Sequence, residues 1–232
     1  MDDVEYPYER RRRRRQRRMR QLGADGLRRT DNPLSLYKAL RIGYLRDEEK
    51  QRAKLKRFGY VLDNELSDGK QRVVAYNPTT KKALYILNGS STDVVGAPLQ
   101  VWKDWRTNLT NIPTGTLKYT PRFQAEEAIY NKIQQKYDNA KIVLAGHSQS
   151  GATVNQLTEK GDTGYTLDGA LINNKENPNV KNYRVEGDIV SAFANPKTIE
   201  TLPNPNKGII PIVNTIQAHD VGLIQKQPIF LE

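Results

Sequence analysis

Apolar residues in this chain fall into short runs divided by polar turns, with longer stretches of helical period between some of them. Leu34, Tyr37, Leu40, Ile42 and Leu45 recur near that period and predict a single helix over 34–57, started by Asp31-Asn32-Pro33 and stopped by Gly59. Tyr60-Val61-Leu62 and the run from Arg72 to Tyr76 predict strands, and the turn residues Asn77-Pro78-Thr79-Thr80-Lys81 join the second of them to a strand over 83–87 as a hairpin. A helix is predicted over 121–137, with Pro121 near its start; Ala125, Ile129, Ile133 and Tyr137 lie at i, i+4 intervals and would cover a sheet. Further strands are predicted over 141–145, within 165–172, before Asp188 and over 209–216, and a helix over 150–160.

One junction in this pattern carries chemistry. Lys141-Ile142-Val143-Leu144-Ala145 runs directly into Gly146-His147-Ser148, and a helix follows. A serine on a sharp strand-to-helix turn is a nucleophile elbow, in which the strained turn lifts the hydroxyl out of the sheet. The helix start adds amide N–H groups and the positive end of its dipole, the surroundings an acyl oxyanion needs. The usual spacing is Gly-x-Ser-x-Gly; here Ser150 takes the fifth position and glycine comes one residue later, at Gly151.

A nucleophilic serine needs a base, and the base an orienting acid. His147 adjoins the serine and cannot turn its ring back onto that hydroxyl, which leaves His219 of the two histidines. The acid is expected between serine and base at a strand end. Asp188, at the close of Tyr183-Arg184-Val185-Glu186-Gly187-Asp188, fits better than Glu186 or than Asp220, the sequence neighbour of the base. The chain order Ser148, Asp188, His219 is the one used on this kind of sheet.

Four blocks in this order resemble the class 3 (fungal-type) lipases: Leu84-Tyr85-Ile86-Leu87-Asn88-Gly89-Ser90-Ser91, Trp102-Lys103-Asp104-Trp105-Arg106-Thr107-Asn108-Leu109, the elbow from Ile142 to Gly151, and Asn182-Tyr183-Arg184-Val185 with Asp188-Ile189-Val190. Gln149 and Ser150 replace the leucine and glycine usual in that elbow, and Ser191 replaces a proline after the acid block. The resemblance implies an α/β-hydrolase with a central, mostly parallel sheet flanked by helices. It implies a lipase or esterase, with phospholipase action open, working through an acyl-enzyme on a lipid or other ester. It also implies an oxyanion hole from the backbone N–H groups of Ser90 and Gln149, and no metal or cofactor. In similar lipases the segment over 93–105 forms a lid; its Val94, Val95, Pro98 and Leu99 would then meet an acyl chain or a membrane surface, whereas Trp105 reads as core.

Composition adds a second feature. The formal charge of +11 is concentrated, with a net +10 in residues 1–57 and +1 in the other 175. Arg10, Arg11, Arg12, Arg13, Arg14, Arg15, Arg17, Arg18 and Arg20 dominate residues 1–31, which are expected to be a disordered arm before a hydrolase domain over 32–232. Such an arm suits nucleic acid, an anionic membrane or an import receptor, or is a solvated tail without a dedicated partner. With no cysteine, no signal-like leader and no apolar run of membrane-spanning length, a cytoplasmic, nuclear or virion-associated protein is expected. The alternative to an enzyme is a non-catalytic or virion-associated binding protein that keeps the hydrolase fold and uses the arm for nucleic acid or membrane.

The charge division makes the arm separable from turnover. Deleting residues 1–31 should abolish retention on nucleic acid or anionic vesicles, a retention that in the full chain falls steeply with salt, while leaving short-chain ester turnover nearly unchanged. Loss of soluble-ester turnover on truncation would make the arm part of the hydrolase domain.

Overall fold

The computed structural model describes residues 33–89, 117–171, 177–188, 190–193, 196–205 and 220–232. Seven strands lie in one sheet in chain order: β1 (Val61–Leu62), β2 (Arg72–Asn77), β3 (Lys82–Leu87), β4 (Lys141–His147), β5 (Thr163–Leu167), β6 (Val180–Val185) and β7 (Ile199–Leu202). The first three pair antiparallel, and β3 to β7 run parallel. The β2–β3 turn is the predicted one: Asn77 Oδ1 accepts from the N–H groups of Thr79 and Thr80, and Lys81 takes a positive φ of 52°.

Parallel neighbours in sequential order need crossovers of one hand, which put their connecting helices on the same face. Helices α3 (Pro121–Lys136) and α4 (Gln149–Leu157) share such a face. Ala83, Tyr85 and Leu87 of β3 and Ile142 and Leu144 of β4 point at Phe123, Tyr130, Ile133, Ala152 and Val154. The alternate residues Leu84, Ile86, Val143 and Ala145 face helix α1 (Leu36–Gly43), Leu55 of α2 (Glu48–Lys56), and Val221, Ile224 and Leu231 near the C-terminus. Burial on both faces is why β3 and β4 read as unbroken apolar runs rather than alternating ones.

Where the sequence predicted one helix over 34–57, there are two. Ser35 caps α1, accepting from Lys38 N–H, and Asp47 caps α2, accepting from Lys50 N–H. Between them Gln51 Nε2 donates to Leu45 O, and Asn88 Nδ2, at the end of β3, donates to Gly43 O, both at hydrogen-bond distance (2.5 and 2.7 Å). These side chains satisfy carbonyls that a continued helix would have used.

The buried stripe of α3 is also rotated from the predicted one. Phe123, Glu126, Tyr130 and Ile133 face the sheet; Ala125 is exposed, and Ile129 and Tyr137 are half-buried. Glu126 is buried because Arg72 Nη1 pairs with Oε1 at 3.1 Å and Tyr85 Oη donates to Oε2 at 2.5 Å, an arrangement that an apolar pattern cannot reveal. Strand β6 ends at Val185, and Gly187 turns the chain with a φ of 88° just before Asp188. Strand β7 was not anticipated. Residues 1–31, the segment over 93–105 and the strand predicted over 209–216 lie outside the described residues.

Candidate active site

Ser148 stands at the carboxyl end of β4, in the middle of the sheet, immediately before α4. Its backbone has φ 58° and ψ −130°, a conformation rare for a residue with a side chain. Strain of this kind costs about 1–3 kcal/mol. It is held by three main-chain hydrogen bonds: Ser148 N–H donates to Leu167 O, and Ser148 O accepts from Gly151 N–H and Ala170 N–H. At about 0.5–1.5 kcal/mol each, these offset the strain.

Glycines permit the close packing around the turn. A Cβ on Gly146 would lie 2.7 Å from Val154 Cγ2, and one on Gly151 would lie 2.6 Å from the Cα of Gly169. The glycine displaced by one residue in the sequence pattern is therefore the one that α4 needs in order to approach the β5 loop. Serine at a helix start commonly caps it with its hydroxyl. Ser148 occupies that position and makes no such bond, so the helix does not consume its Oγ. A mostly parallel sheet with a strained serine between central strand and helix is an α/β-hydrolase fold.

On one side of Ser148 lies the turn after β3. Gly89 abuts the serine so closely that a Cβ there would be 3.0 Å from Ser148 Cβ. Tyr44 Oη accepts the Gly89 N–H at 3.1 Å and lies 2.6 Å from His147 Nδ1. Burial pushes the Tyr44 pKa up to about 12, so the phenol keeps its proton. His147 is buried with its ring edge-on to Tyr44.

Arg122, in the first turn of α3, reaches the same place. Its Nη2 donates to Asn88 O at 2.6 Å and to Ser150 Oγ at 3.1 Å, and Nη1 donates to Gln149 Oε1 at 3.0 Å. Ser150 Oγ in turn donates to Asn88 O. Burial lowers the Arg122 pKa and the charge of Glu126 raises it again, but Glu126 is itself paired with Arg72.

On the other side lie two buried carboxyls. Asp188 follows β6, and its Oδ1 accepts from both the N–H and the hydroxyl of Ser191 at 2.7 Å. Ser191 is the residue found where a proline was expected, and both bonds come from what proline lacks. Asp168, at the end of β5, was not singled out in the sequence. Its Oδ1 accepts from Val185 N–H at 2.7 Å, while its Oδ2 is buried without a partner among the described residues. Burial, and then the charge of Asp188, raise the Asp168 pKa well above the ordinary carboxylate range.

Of the predicted site residues, Ser148, Gln149 and Asp188 are thus at the carboxyl ends of the parallel strands. Glu186 is exposed, and the carboxylate of Asp220 accepts Gly222 N–H at 2.7 Å as a cap on the turn at Val221–Ile224. Ser90, His219 and Arg10 to Arg20 lie outside the described residues. Among the described residues no cluster of metal-ligating side chains occurs, and no helix is long and apolar enough to cross a membrane. Sequence reasoning missed Tyr44, Arg122 and Asp168. Only Asp168 left a signal, an acid directly after an apolar strand.

No protein-family model matches the sequence, and no curated protein does. Among solved structures, the chain is similar to Lip2 lipase from Yarrowia lipolytica, 15% identical over 67% of this chain and 70% of that one with a TM-score of 0.46. It is also similar to a Rhizomucor miehei lipase propeptide complex, 13% identical over 66% of this chain and 60% of that one with a TM-score of 0.38.

The raised Asp168 pKa has a sign that can be tested. Folding favours the protonated form, so its contribution is fully present below the ordinary Asp range near 3.9 and is lost as pH rises toward the folded value. Asparagine keeps an acceptor for Val185 N–H and has no proton to lose. Asp168→Asn should raise the thermal midpoint more at pH 8 than at pH 4. An equal shift at both, measured by circular dichroism, would show that Asp168 titrates normally.

Proposed function

We propose that the protein is a serine carboxylic-ester hydrolase of the lipase type. The observation that carries this is Ser148 itself, held in a strained conformation at the central strand-to-helix turn with its hydroxyl kept off the helix. Strain on that scale persists where the surroundings over-determine it, and it clusters at reactive sites.

In this reading His219 accepts the proton of Ser148 Oγ as the oxygen attacks an ester carbonyl. The N–H groups of Gln149 and Ser90 receive the oxyanion; Gln149 opens α4, and the amides of a first turn have no acceptor within their own helix. Asp188 orients His219 and stabilises its charged form, and Ser191 orients Asp188. His219 then protonates the leaving alcohol, and a water molecule repeats the cycle to release the acid from Ser148. No metal or cofactor enters these steps. The arm over 1–31 is proposed to hold polyanions and to take no part in turnover.

Turnover of p-nitrophenyl esters of increasing chain length tests the reading and ranks substrates. Ser148→Ala should reduce turnover to the background rate. Asp188→Asn should lower kcat by about 10⁴ if it acts as a triad acid, and Asp220→Asn should leave kcat nearly unchanged. The reverse order for the two aspartates would reassign the acid, and full activity in Ser148→Ala would remove the nucleophile.

A further inference from the structure

The peptide group between Asn88 and Gly89 is fixed at both ends. Its carbonyl oxygen accepts from Arg122 Nη2 and from Ser150 Oγ, and its N–H donates to Tyr44 Oη. Gly89 adjoins Ser90, the residue proposed above to supply one oxyanion donor. Arg122 also holds Gln149, the residue of the second proposed donor, through its side-chain oxygen. One guanidinium therefore ties the end of β3 to the start of α4, beside Ser148. The two residues that depart from the usual elbow, Gln149 and Ser150, are both hydrogen-bonded by it.

We infer that Arg122 is a positioning residue that sets the geometry of the oxyanion hole by locking the Asn88–Gly89 peptide to the first turn of α4. Arginine is required because the donors must diverge. Two bonds leave Nη2 toward Asn88 O and Ser150 Oγ, and a third leaves Nη1 toward Gln149. A lysine ammonium is a point charge on a flexible stem and cannot present this fork. The inference rests on the ester-hydrolase reading, because it gives the lock a tetrahedral intermediate to serve.

The test compares wild type, Arg122→Met, Arg122→Lys and Ser150→Ala in the full chain. Three readouts are taken: kcat and KM for a short p-nitrophenyl ester, inhibition by a short alkyl trifluoromethyl ketone that forms a tetrahedral adduct with serine, and the thermal midpoint. Losing one oxyanion donor costs about 10²–10³ in kcat, so a misplaced hole in Arg122→Met should approach that loss with KM little changed. The ketone inhibition constant should rise in step with the fall in kcat/KM across the series. Arg122→Lys should rescue little, and Ser150→Ala, which keeps the arginine, should fall between wild type and Arg122→Met.

A folded Arg122→Met with wild-type kcat would overturn the inference, as would a loss of kcat with an unchanged ketone constant. If Arg122→Met fails to fold, Ser150→Ala decides by the same two parallel readouts. A wild-type protein that neither turns over ester nor binds the ketone would remove the hydrolase reading, and the inference with it.

Discussion

The backbone of Ser148 is the constraint around which the rest of the structure is arranged. Positive φ at a residue with a Cβ persists only where the neighbours leave no alternative. Here β4 is paired on both sides, by β3 and β5, so the strand cannot shift to relieve the turn. The loop after β5 doubles back to give Ala170 N–H to Ser148 O, and Gly169 packs on Gly151 of α4. Two glycines in contact let helix and loop approach to a distance that any side chain would prevent. The fold thus directs close packing and hydrogen bonds of a few kcal/mol at one residue of the central strand.

A second layer of polar contacts surrounds the same point from the opposite direction. The break between α1 and α2 gives the chain a corner, and Tyr44 sits on it, reaching both Gly89 and His147. Loss of its phenol would leave the Gly89 N–H buried without an acceptor, at about 1–3 kcal/mol. Arg122 closes the other end of the same peptide. Tyr44 and Arg122 come from helices on opposite faces of the sheet and meet at the carboxyl ends of its strands, where open α/β sheets carry their functional loops.

Much of this order was legible in the sequence, and the reasons it was not fully so are physical. The strand before Ser148 and the hairpin through Asn77 were readable because apolar runs and turn residues are local signals. The single helix over 34–57 was wrong because its interruption is made by Asn88 and Gln51, side chains remote from the break or beyond it. The stripe on α3 was misplaced because its buried face includes Glu126, whose partner Arg72 lies on another strand. Tyr44 and Arg122 could not be singled out, since each matters only through groups brought to it by folding. Asp168 is different: an acid after an apolar strand was visible, but its neighbour Asp188 and its unpartnered oxygen were not.

If the strain at Ser148 serves a nucleophile, the folded protein should react with a fluorophosphonate at that oxygen and at no other. Peptide mapping after reaction of the full chain should find one adduct, on Ser148, and the Ser148→Ala protein should take up none. Undiminished labelling of Ser148→Ala, or no labelling of a folded wild-type protein, would contradict the account.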